Sequence, residues 1–445
     1  MTDSFLPRWT LKTEGTIMPD ERLPMGQTVV VGLQHVVAMF GSTVLAPILM
    51  GFDPNVSILF SGIATLLFFL IVGGRVPSYL GSSFAFIGPV LVATGATVGS
   101  PNPNIPLALG GIIAAGALYF LIGLAVQMAG HRWVERVIPP VVTGAIVAAI
   151  GLVLAPIAIS SASGVTPDNQ AGTAFARWIA VTTVVAVGLV AVYAPGMWRR
   201  LPVLVGGAVG YFAYYVCANI LGFGQPIDFA KVGQAAWFGL PTFQSPVFDM
   251  RAISLIAPVA IILVAENLGH IKAIGAMTGR NLDPYLGRAF MGDGLSTMLS
   301  GACGGTGMTT YAENMGVMSV TRIYSTLIFV VAAVIALLLG LSPKFGAFIG
   351  TIPVPVLGGL SIVVFGLIAA AAGRIWVENR VDFSNPRNLI TVAVALVLGA
   401  GNFKLTVGGF TLDGIGTATF GAIILYHLLH LKQTASVVER PQAAE

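Results

Sequence analysis

Charge is scarce in this chain, since Asp, Glu, Lys and Arg together account for only 9% of its 445 residues. Soluble domains contain about 25% charged residues, so this composition excludes a soluble globular protein of this length. Hydrophobic residues make up 56% of the sequence, and the mean hydropathy is +0.89. Such a composition is typical of a protein that crosses a lipid bilayer many times.

Cysteine and histidine are also rare, with two and five residues. Cys217 and Cys303 lie in apolar or Gly-rich stretches, where we interpret them as packing residues rather than a disulfide or a metal pair. Glu266 and His270 form an E-x-x-x-H pattern, which differs from the H-E-x-x-H of zinc enzymes. We therefore expect no metal and no cofactor, and the modest net charge of +4 gives no indication of nucleic-acid binding.

The chain contains about fourteen apolar runs, whereas a single spanning helix needs roughly 20 apolar residues. Several runs are short or interrupted by Gly, and the third, ninth and tenth are the weakest. Their approximate centres are at residues 39, 65, 91, 119, 148, 186, 211, 259, 296, 318, 332, 362, 395 and 421. The sequence therefore predicts an all-α polytopic membrane protein with fourteen transmembrane segments.

Positive residues alternate in a way that fits this count. With fourteen segments and a cytoplasmic N-terminus, the inside segments collect 17 of the 22 Lys and Arg residues. Cytoplasmic loops of membrane proteins carry an excess of Lys and Arg, so both termini are predicted to be cytoplasmic. The first 25 residues carry seven charges and lack a short apolar core, so we expect no cleaved signal peptide there.

An internal repeat divides the chain. PVVTGAIVAAIGL (140–152) and PVLGGLSIVVFGL (355–367) share Pro-Val, a Gly four residues after the Pro, and a final Gly-Leu. Chance similarity between two Gly-rich helices is the alternative. A duplication of seven segments, an odd number, would place the second copy in the membrane with inverted topology. The predicted division is a tail, a first repeat, a polar extracytoplasmic loop, a second repeat and a final tail, at 1–25, 26–222, 223–250, 251–432 and 433–445.

Two segments rich in Gly, Ser and Thr occupy corresponding places in the two halves. They are PSYLGSSFAFIGP (77–89) and GACGGTGMTTYAENMG (301–316), in segments 3 and 10. Their Ser, Thr, Phe and Tyr content suits short extended stretches, and irregular backbone at membrane depth is tolerated only where it is buried or lines a cavity. We therefore predict that two broken segments face each other across a central pocket, rather than forming ordinary loops.

Two glutamates lie inside apolar stretches, where an ionisable side chain is costly and usually functional. Glu266 and His270 stand four residues apart and would share one helix face. We interpret His270 as a residue that orients Glu266 or relays a proton, with packing between helices as the alternative. Glu313 is predicted at the start of a half-helix, whose free N–H groups would complement carboxylate acceptors around a ligand. Phe84 and Tyr311 could supply apolar walls. This chemistry predicts a small, neutral, amide-like solute coupled to protons.

Two further polar residues have open interpretations. Asp293 is a third acid in an apolar stretch, 288–301. It could be a cap or interfacial carboxylate, a proton site, or a partner that holds the binding segment in place. His35 is better interpreted as a structural polar residue than as a ligand.

The chain resembles the nucleobase–ascorbate transporter family, also called nucleobase:cation symporter family 2, and within it the bacterial uracil permeases. The resemblance extends over roughly residues 25–430, and ENMGVMSVTR (313–322) fits the family signature of an acid or Gln, Asn-x-Gly, four residues, Thr and a basic residue. Glu rather than Gln at position 313 favours the uracil branch. The other similar pieces are QHVVAMFGSTVLAP, GSSFAFIGP, VAENLGHIKA and GDGLSTMLSG.

The resemblance implies a fold and a set of site residues. Segments 1–4 and 8–11 would form a core domain, segments 5–7 and 12–14 a gate domain, and two chains a homodimer joined through their gate domains. The implied substrate-binding residues are Glu266 and Glu313, with the backbone of Phe84 and Ala312. Ser42 and Phe365 stand where relatives can have Ala and Tyr in the pocket, and Tyr311 completes the predicted substrate-binding set as an apolar wall. The implied proton-coupling or supporting residues are Glu266, His270, Asp293 and Asn314.

These observations predict a proton-coupled uracil importer of the bacterial inner membrane, and not an enzyme. A purine or broader nucleobase symporter of the same family is the nearest alternative, and a membrane sensor that binds without transport is another. An anion carrier would need a positive pocket, whereas this one contributes two glutamates. An intramembrane hydrolase would need a catalytic motif, and the apolar runs contain no H-E-x-x-H, G-x-G-D or Ser–Lys arrangement.

Overall fold

The computed structural model describes residues 5–96, 102–165, 169, 171–195, 198–407 and 410–436. Within these residues the chain is mostly helical, with short strands that pair two by two. Most of the predicted C-terminal tail, from residue 437 onward, lies outside the described residues.

The first half contains strands β1 and β2 and helices α1 to α9, with strand β3 between α2 and α3. These elements are β1 (Thr10–Leu11), β2 (Glu21–Arg22), α1 (Met25–Met50), α2 (Pro54–Ile71), β3 (Leu80–Ser82), α3 (Ile87–Thr94), α4 (Ile105–Ala129), α5 (Arg132–Val137), α6 (Pro140–Val153), α7 (Ala155–Ser163), α8 (Ala174–Tyr193) and α9 (Pro202–Tyr215). A π-helical turn, Val216–Ile220, extends α9.

The second half repeats this pattern after a polar connection. Its elements are α10 (Ala230–Gln234), α11 (Met250–Ile256), α12 (Val259–Thr278), α13 (Leu286–Ala302), β4 (Met308–Thr310), α14 (Ala312–Thr321), α15 (Thr326–Gly340), α16 (Pro343–Ile349), α17 (Val354–Glu378), α18 (Pro386–Ala400), β5 (Leu405–Val407), β6 (Phe410–Leu412) and α19 (Gly414–Ser436). Three 3₁₀ turns, Phe84–Phe86, Trp198–Arg200 and Asp283–Tyr285, complete the described elements.

Among the described residues, eight helices are long and apolar enough to cross a membrane, or nine if α15 and α16, bent by 84°, count as one broken span. Every predicted segment centre falls within a helix. The broken segments 3 and 10 contain only the short helices α3 and α14, so neither spans as a helix alone. The chain is a polytopic helical membrane protein, and the count of fourteen spans stays a prediction.

Helix packing in the second half mirrors the packing in the first half. The packing of α2 against α15 has its counterpart in α13 against α4. Likewise α1 contacts α14 as α11 contacts α3, and α18 packs on α19 as α8 packs on α9. The helices that carry the repeated sequence, α6 and α17, pack on each other. This pattern is the one expected for two copies of a single seven-segment unit.

The extensive helix contacts fall into two groups that match the expected core and gate. Helices α1 to α4 pack with α11 to α15, whereas α6 to α9 pack with α17 to α19. Glycines allow close approach in both groups: a Cβ on Gly116 would lie 2.8 Å from the Gly294 carbonyl oxygen, and one on Gly151 would lie 2.6 Å from the Phe365 carbonyl oxygen. Smaller contacts, including those of α1 with α9 and α12 with α6, join the two groups.

The segment before α1, which we call the N-terminal strap (residues 9–22), packs against the second half. Ile17 is 1% exposed and forms a β-bridge with Ile323. Its N–H donates to the Arg322 carbonyl at 3.0 Å, and its own carbonyl accepts from the Tyr324 N–H at 2.8 Å. Asp20 receives a 2.6 Å ion pair from Arg280, just beyond α12. The strap therefore joins the ends of the two helices that carry Glu266 and Glu313.

Candidate substrate-binding site

The two predicted broken segments meet as a short antiparallel ladder inside the protein. Strands β3 and β4 are fully buried and pair with Leu80 opposite Thr310 and Ser82 opposite Met308. The Ser82 and Thr306 hydroxyls lie 2.5 Å apart. A two-stranded ladder satisfies backbone groups that have no water to bind in this interior. The extended stretches predicted from the sequence are thus confirmed.

A helix begins immediately after each strand of the ladder. After β3, the Ser83 hydroxyl accepts from the Ala85 N–H at 3.2 Å and starts the 3₁₀ turn that leads into α3. After β4, Tyr311 is the N-cap of α14, and Glu313 lies in the first turn. The first N–H groups of a helix have no partner within it and favour negative charge nearby. Two helix N-termini thus flank the ladder, where they can bind acceptor groups of a ligand.

Glu313 is exposed at the start of α14, together with Ala312. Its carboxylate accepts a short hydrogen bond from the hydroxyl of Ser42, which is itself 3% exposed on α1. A hydroxyl orients a carboxylate without neutralising it. The structure therefore brings together Ser42 and Glu313, which the sequence separates by 271 positions.

Glu266 is half-buried on α12 and lies beside the ladder. The Thr309 hydroxyl of β4 donates to its Oε2 across a long 3.5 Å contact. No ion pair to either glutamate occurs among the described residues. Each of the two acids therefore has a hydroxyl as its side-chain partner.

A chain of polar side chains continues from the ladder into the core. His270 Nδ1 lies 2.8 Å from the Thr310 hydroxyl, which lies 3.4 Å from Asn267 Oδ1. Asn267 Nδ2 donates to Asp293 Oδ2 at 2.7 Å and to the Tyr119 hydroxyl at 2.8 Å. Asp293 is fully buried, and Asn267 links it to the Thr310 hydroxyl.

Sequence reasoning missed Asn267, Thr309, Thr310 and Tyr119. Thr309 and Thr310 lie in the segment that was predicted to be broken from its composition. Nothing in a single sequence distinguishes them from the other polar residues of that segment. Asn267 directly follows Glu266, and a second polar residue in an apolar run was an available signal. Tyr119 gave none, because tyrosine is common at helix packing surfaces.

An aromatic pair lies where the core and gate groups meet. The rings of Phe84 and Phe365 stand 5.8 Å apart at 82°, an edge-to-face contact. Phe365, on α17, is 1% exposed, and Phe84 is half-buried at the start of its 3₁₀ turn. A flat ring bound near Phe84 would therefore lie close to the gate helix.

Tyr311 and Asn314 are directed into the core. Tyr311 is 4% exposed, and its hydroxyl donates to the Ser82 carbonyl at 2.9 Å and accepts from Thr43 at 3.1 Å. Asn314 is fully buried and donates to the His35 carbonyl at 3.1 Å, with His35 Nδ1 at 2.9 Å. His35 also packs on Phe329, with centroids 4.7 Å apart. These side chains therefore connect α1, β3 and α14 through hydrogen bonds within the core.

Two cavities lie away from the glutamates. One, of about 400 Å³, separates the N-terminal strap from α1 and borders Thr321. The other, of about 380 Å³, is an apolar groove between α7, α8 and α17. Neither has the convergent polar groups of a substrate site. Within the described residues, no cluster of three His, Cys, Asp or Glu side chains could hold a metal ion.

Long apolar helices with broken segments at the centre of the protein are typical of membrane transporters. The sequence model of the permease family matches residues 26–408. The chain belongs to this family, the nucleobase–ascorbate transporters.

Named relatives and a solved structure agree with this assignment. "Putative pyrimidine permease RutG" of Escherichia coli strain K12 is 64% identical over 430 residues, covering 96% of both chains. The "Uracil permease" of Paenibacillus larvae subsp. larvae is 42% identical over 419 residues, covering 92% of this chain and 95% of the relative. The transmembrane domain of the cyanobacterial bicarbonate transporter BicA aligns with a TM-score of 0.63 at 15% identity, over 90% of this chain and 97% of that one. That last likeness concerns the fold alone.

Proposed function

We propose that this protein imports a pyrimidine nucleobase, uracil, together with protons. The observation that carries the proposal is the pair of glutamates without a cation, held beside two helix N-termini by the β3–β4 ladder. The names of the relatives, uracil permease and pyrimidine permease, point to the same class of solute.

Uracil fits the polarity of this site. Its two N–H groups are donors for the carboxylates of Glu266 and Glu313, and its two carbonyls are acceptors for N–H groups at the helix starts near Phe84 and Ala312. Each charge-assisted hydrogen bond contributes about 1.5–3 kcal/mol. The Phe84 ring supplies an apolar face, with Phe365 behind it.

Proton coupling would follow from the cost of leaving two acids together in the membrane interior. Glu266 takes up the proton in this proposal, and Asp293 is the next candidate. Inward movement of one charge is worth about 2.3 kcal/mol per 100 mV, enough for more than tenfold accumulation of an uncharged base. Protonation and substrate binding would together permit the core to move against the gate and expose the site alternately to each side.

The same proposal covers the setting of the protein. Transport would take place in the bacterial inner membrane, with both termini in the cytoplasm as the Lys and Arg distribution predicts. The working unit would be a homodimer joined through the gate helices. The domain limits predicted from the sequence belong to this proposal as well.

The test is uptake of radiolabelled uracil into proteoliposomes with an inward proton gradient, with and without a protonophore. We expect protonophore-sensitive accumulation, and we expect Glu313→Gln to weaken uracil binding by tenfold or more, because one charge-assisted bond is lost. Glu266→Gln should abolish gradient-driven uptake while leaving the protein folded. Full uptake by Glu313→Gln would rule out the proposed site, and intact coupling in Glu266→Gln would move the proton to Asp293.

Competition by excess unlabelled xanthine distinguishes a uracil carrier from the second candidate, a carrier of purines or of a broader range of nucleobases. A purine or broader nucleobase carrier would lose uracil uptake in its presence, whereas a uracil carrier would not. Uracil binding without any uptake would indicate a sensor.

A further inference from the structure

A series of hydrogen bonds leads from the site to Asp293. The donor and the acceptor of each bond are fixed, because the side chains differ in whether they can donate or only accept. Asp293 is fully buried on α13, and its Oδ2 accepts hydrogen bonds from the Asn267 amide and from the Tyr119 hydroxyl. Asn267 has an amide NH₂ that donates and an oxygen that accepts. The orientation of this one amide therefore decides the direction of every bond beyond it.

Asp293 sets that orientation. Asn267 Nδ2 lies 2.7 Å from Asp293 Oδ2 and 2.8 Å from the Tyr119 oxygen, so both amide hydrogens have acceptors. The opposite orientation would place the amide oxygen against the carboxylate, two acceptors at hydrogen-bond distance. Tyr119 holds its own place through contacts of 3.2 Å to the Leu263 carbonyl and 3.3 Å to Asp293 Oδ2. The Asn267 oxygen must therefore face Thr310.

Thr310 passes the constraint to His270. Its hydroxyl has a single hydrogen, which goes to the Asn267 oxygen at 3.4 Å because that oxygen cannot donate. The Thr310 oxygen then accepts, at 2.8 Å, from His270 Nδ1, which must carry a proton. Pairing of Thr310 with Leu80 in the ladder keeps the hydroxyl in place.

We propose that Asn267, held by Asp293, is a positioning residue that fixes His270 as the tautomer with its proton on Nδ1 and a free lone pair on Nε2. His270 thereby offers a further acceptor on the helix face that also carries Glu266, suited to an N–H group of the substrate or to a bridging water. This role deepens the proposed function and rests on it only for the identity of the substrate. It assigns Asp293 an effect on specificity that requires no direct contact with the ligand.

The test reads the tautomer directly. The full-length protein, labelled with ¹⁵N-histidine and reconstituted in lipid, is studied by solid-state NMR at pH 8 without substrate. The His270 signals are identified by their loss in His270→Gln. We expect a protonated Nδ1 and an unprotonated Nε2. A proton on Nε2, on its own or together with one on Nδ1, would overturn the assignment.

Two near-isosteric variants separate positioning from general packing. Asp293→Asn allows the facing amides to exchange roles, so both His270 tautomers should appear. Tyr119→Phe keeps the carboxylate acceptor for Asn267, so the wild-type tautomer should persist. Identical spectra for wild type and Asp293→Asn would contradict the proposal, and the wild-type measurement decides even if a variant does not fold.

This measurement and the uracil uptake assay fail independently. The tautomer is read without substrate, so a chain that carries another solute would still show Nδ1 protonated. Conversely, a carrier of uracil with the proton on Nε2 would retain the proposed function and exclude the role of Asn267.

Discussion

At the scale of single residues, the defining feature is a pair of acids whose partners are hydroxyl groups. Ser42 donates to Glu313, and Thr309 donates to Glu266. A buried ion pair would satisfy these carboxylates permanently, whereas a hydroxyl leaves lone pairs available for a substrate N–H or a proton. Neither glutamate forms an ion pair with a cation among the described residues. Their carboxylates can therefore bind and release a substrate N–H group or a proton.

Ser42→Ala tests this arrangement. Loss of the hydroxyl releases the Glu313 carboxylate from one orientation, and we expect a net loss of about 1.5 kcal/mol, or about tenfold weaker uracil binding. Isothermal titration of the purified protein with uracil measures this directly. The maximal transport rate should change much less than the affinity.

Ser361→Ala provides the matched control. Ser361 is equally buried, but its hydroxyl donates only to the Leu357 carbonyl of its own helix, at 2.7 Å. Its removal should leave uracil affinity near the wild-type value. Equal effects of the two substitutions would show that Ser42 acts through packing alone.

The sequence predicted the acids of this site better than their surroundings. Glu266, Glu313 and Asp293 stood out because charge in an apolar run is costly. Asn267 and Thr310 did not, because a neutral polar residue is readily accommodated in a helix or strand, and only three-dimensional contact reveals its partner. Ser42 was assigned by family resemblance, and its contact with Glu313 is visible only in the fold.

At the scale of elements, the N-terminal strap was the feature least visible in the sequence. Residues 1–25 were predicted only as a charged tail, since the bonds of Ile17 are made to residues more than 300 positions away. By contrast, the broken segments could be predicted from their local Gly, Ser and Thr content. Local composition can reveal a broken helix, but it cannot reveal which distant segment a short strand will join.

Ile17→Ala should loosen the strap. Truncation of a fully buried isoleucine costs about 2–5 kcal/mol, and the strap holds the C-terminal ends of α12 and α14. Amide hydrogen exchange should rise in the strap and in the last turn of α14. Leu11→Ala, at a residue 58% exposed, is the control and should leave exchange unchanged.

Acid should have the same effect on the strap. Partial burial raises the pKa of Glu21, but the Met18 N–H and Lys12 outweigh it and hold that pKa below its ordinary value of 4.5. A carboxyl with a lowered pKa stabilises the fold above its unfolded pKa and loses that contribution as pH falls through the folded value. Protection of the strap amides, measured as the intrinsic exchange rate at each pH divided by the observed rate, should therefore fall below about pH 4.5 in the wild type. In Glu21→Gln this protection should already be reduced at neutral pH and should change less with acid.

At the scale of the whole molecule, the question is whether the core group moves against the gate group. The repeat in α6 and α17 was readable from thirteen-residue matches, but the segregation of helices into two groups came from family resemblance and is now visible as packing. A sequence cannot distinguish a fixed interface from a sliding one. The close approach of α1 and α9 provides a place to test it.

A disulfide across that boundary should stop transport. A Cβ built on Gly41 of α1 would lie 3.5 Å from the Cβ of Val203 in α9, within the range of about 3.5–4.5 Å that a disulfide needs. In a chain with Cys217 and Cys303 replaced by serine, Gly41→Cys with Val203→Cys should lose most uracil uptake on oxidation and recover it on reduction. Uracil binding should persist, because the glutamates lie within the core group.

The matched control places the same bond inside the core. A Cβ on Gly32 would lie 3.3 Å from the Cβ of Val331, just below that range, so a small shift of one helix is needed for the bond to form. Both helices, α1 and α15, belong to the core group. Oxidation of Gly32→Cys with Val331→Cys should leave uptake unchanged, because these helices would move together. If the α1–α9 disulfide forms and uptake continues, the core and gate do not separate at this contact. Transport would then have to proceed by motion within the core, with the β3–β4 ladder and its two helix N-termini as the parts that rearrange.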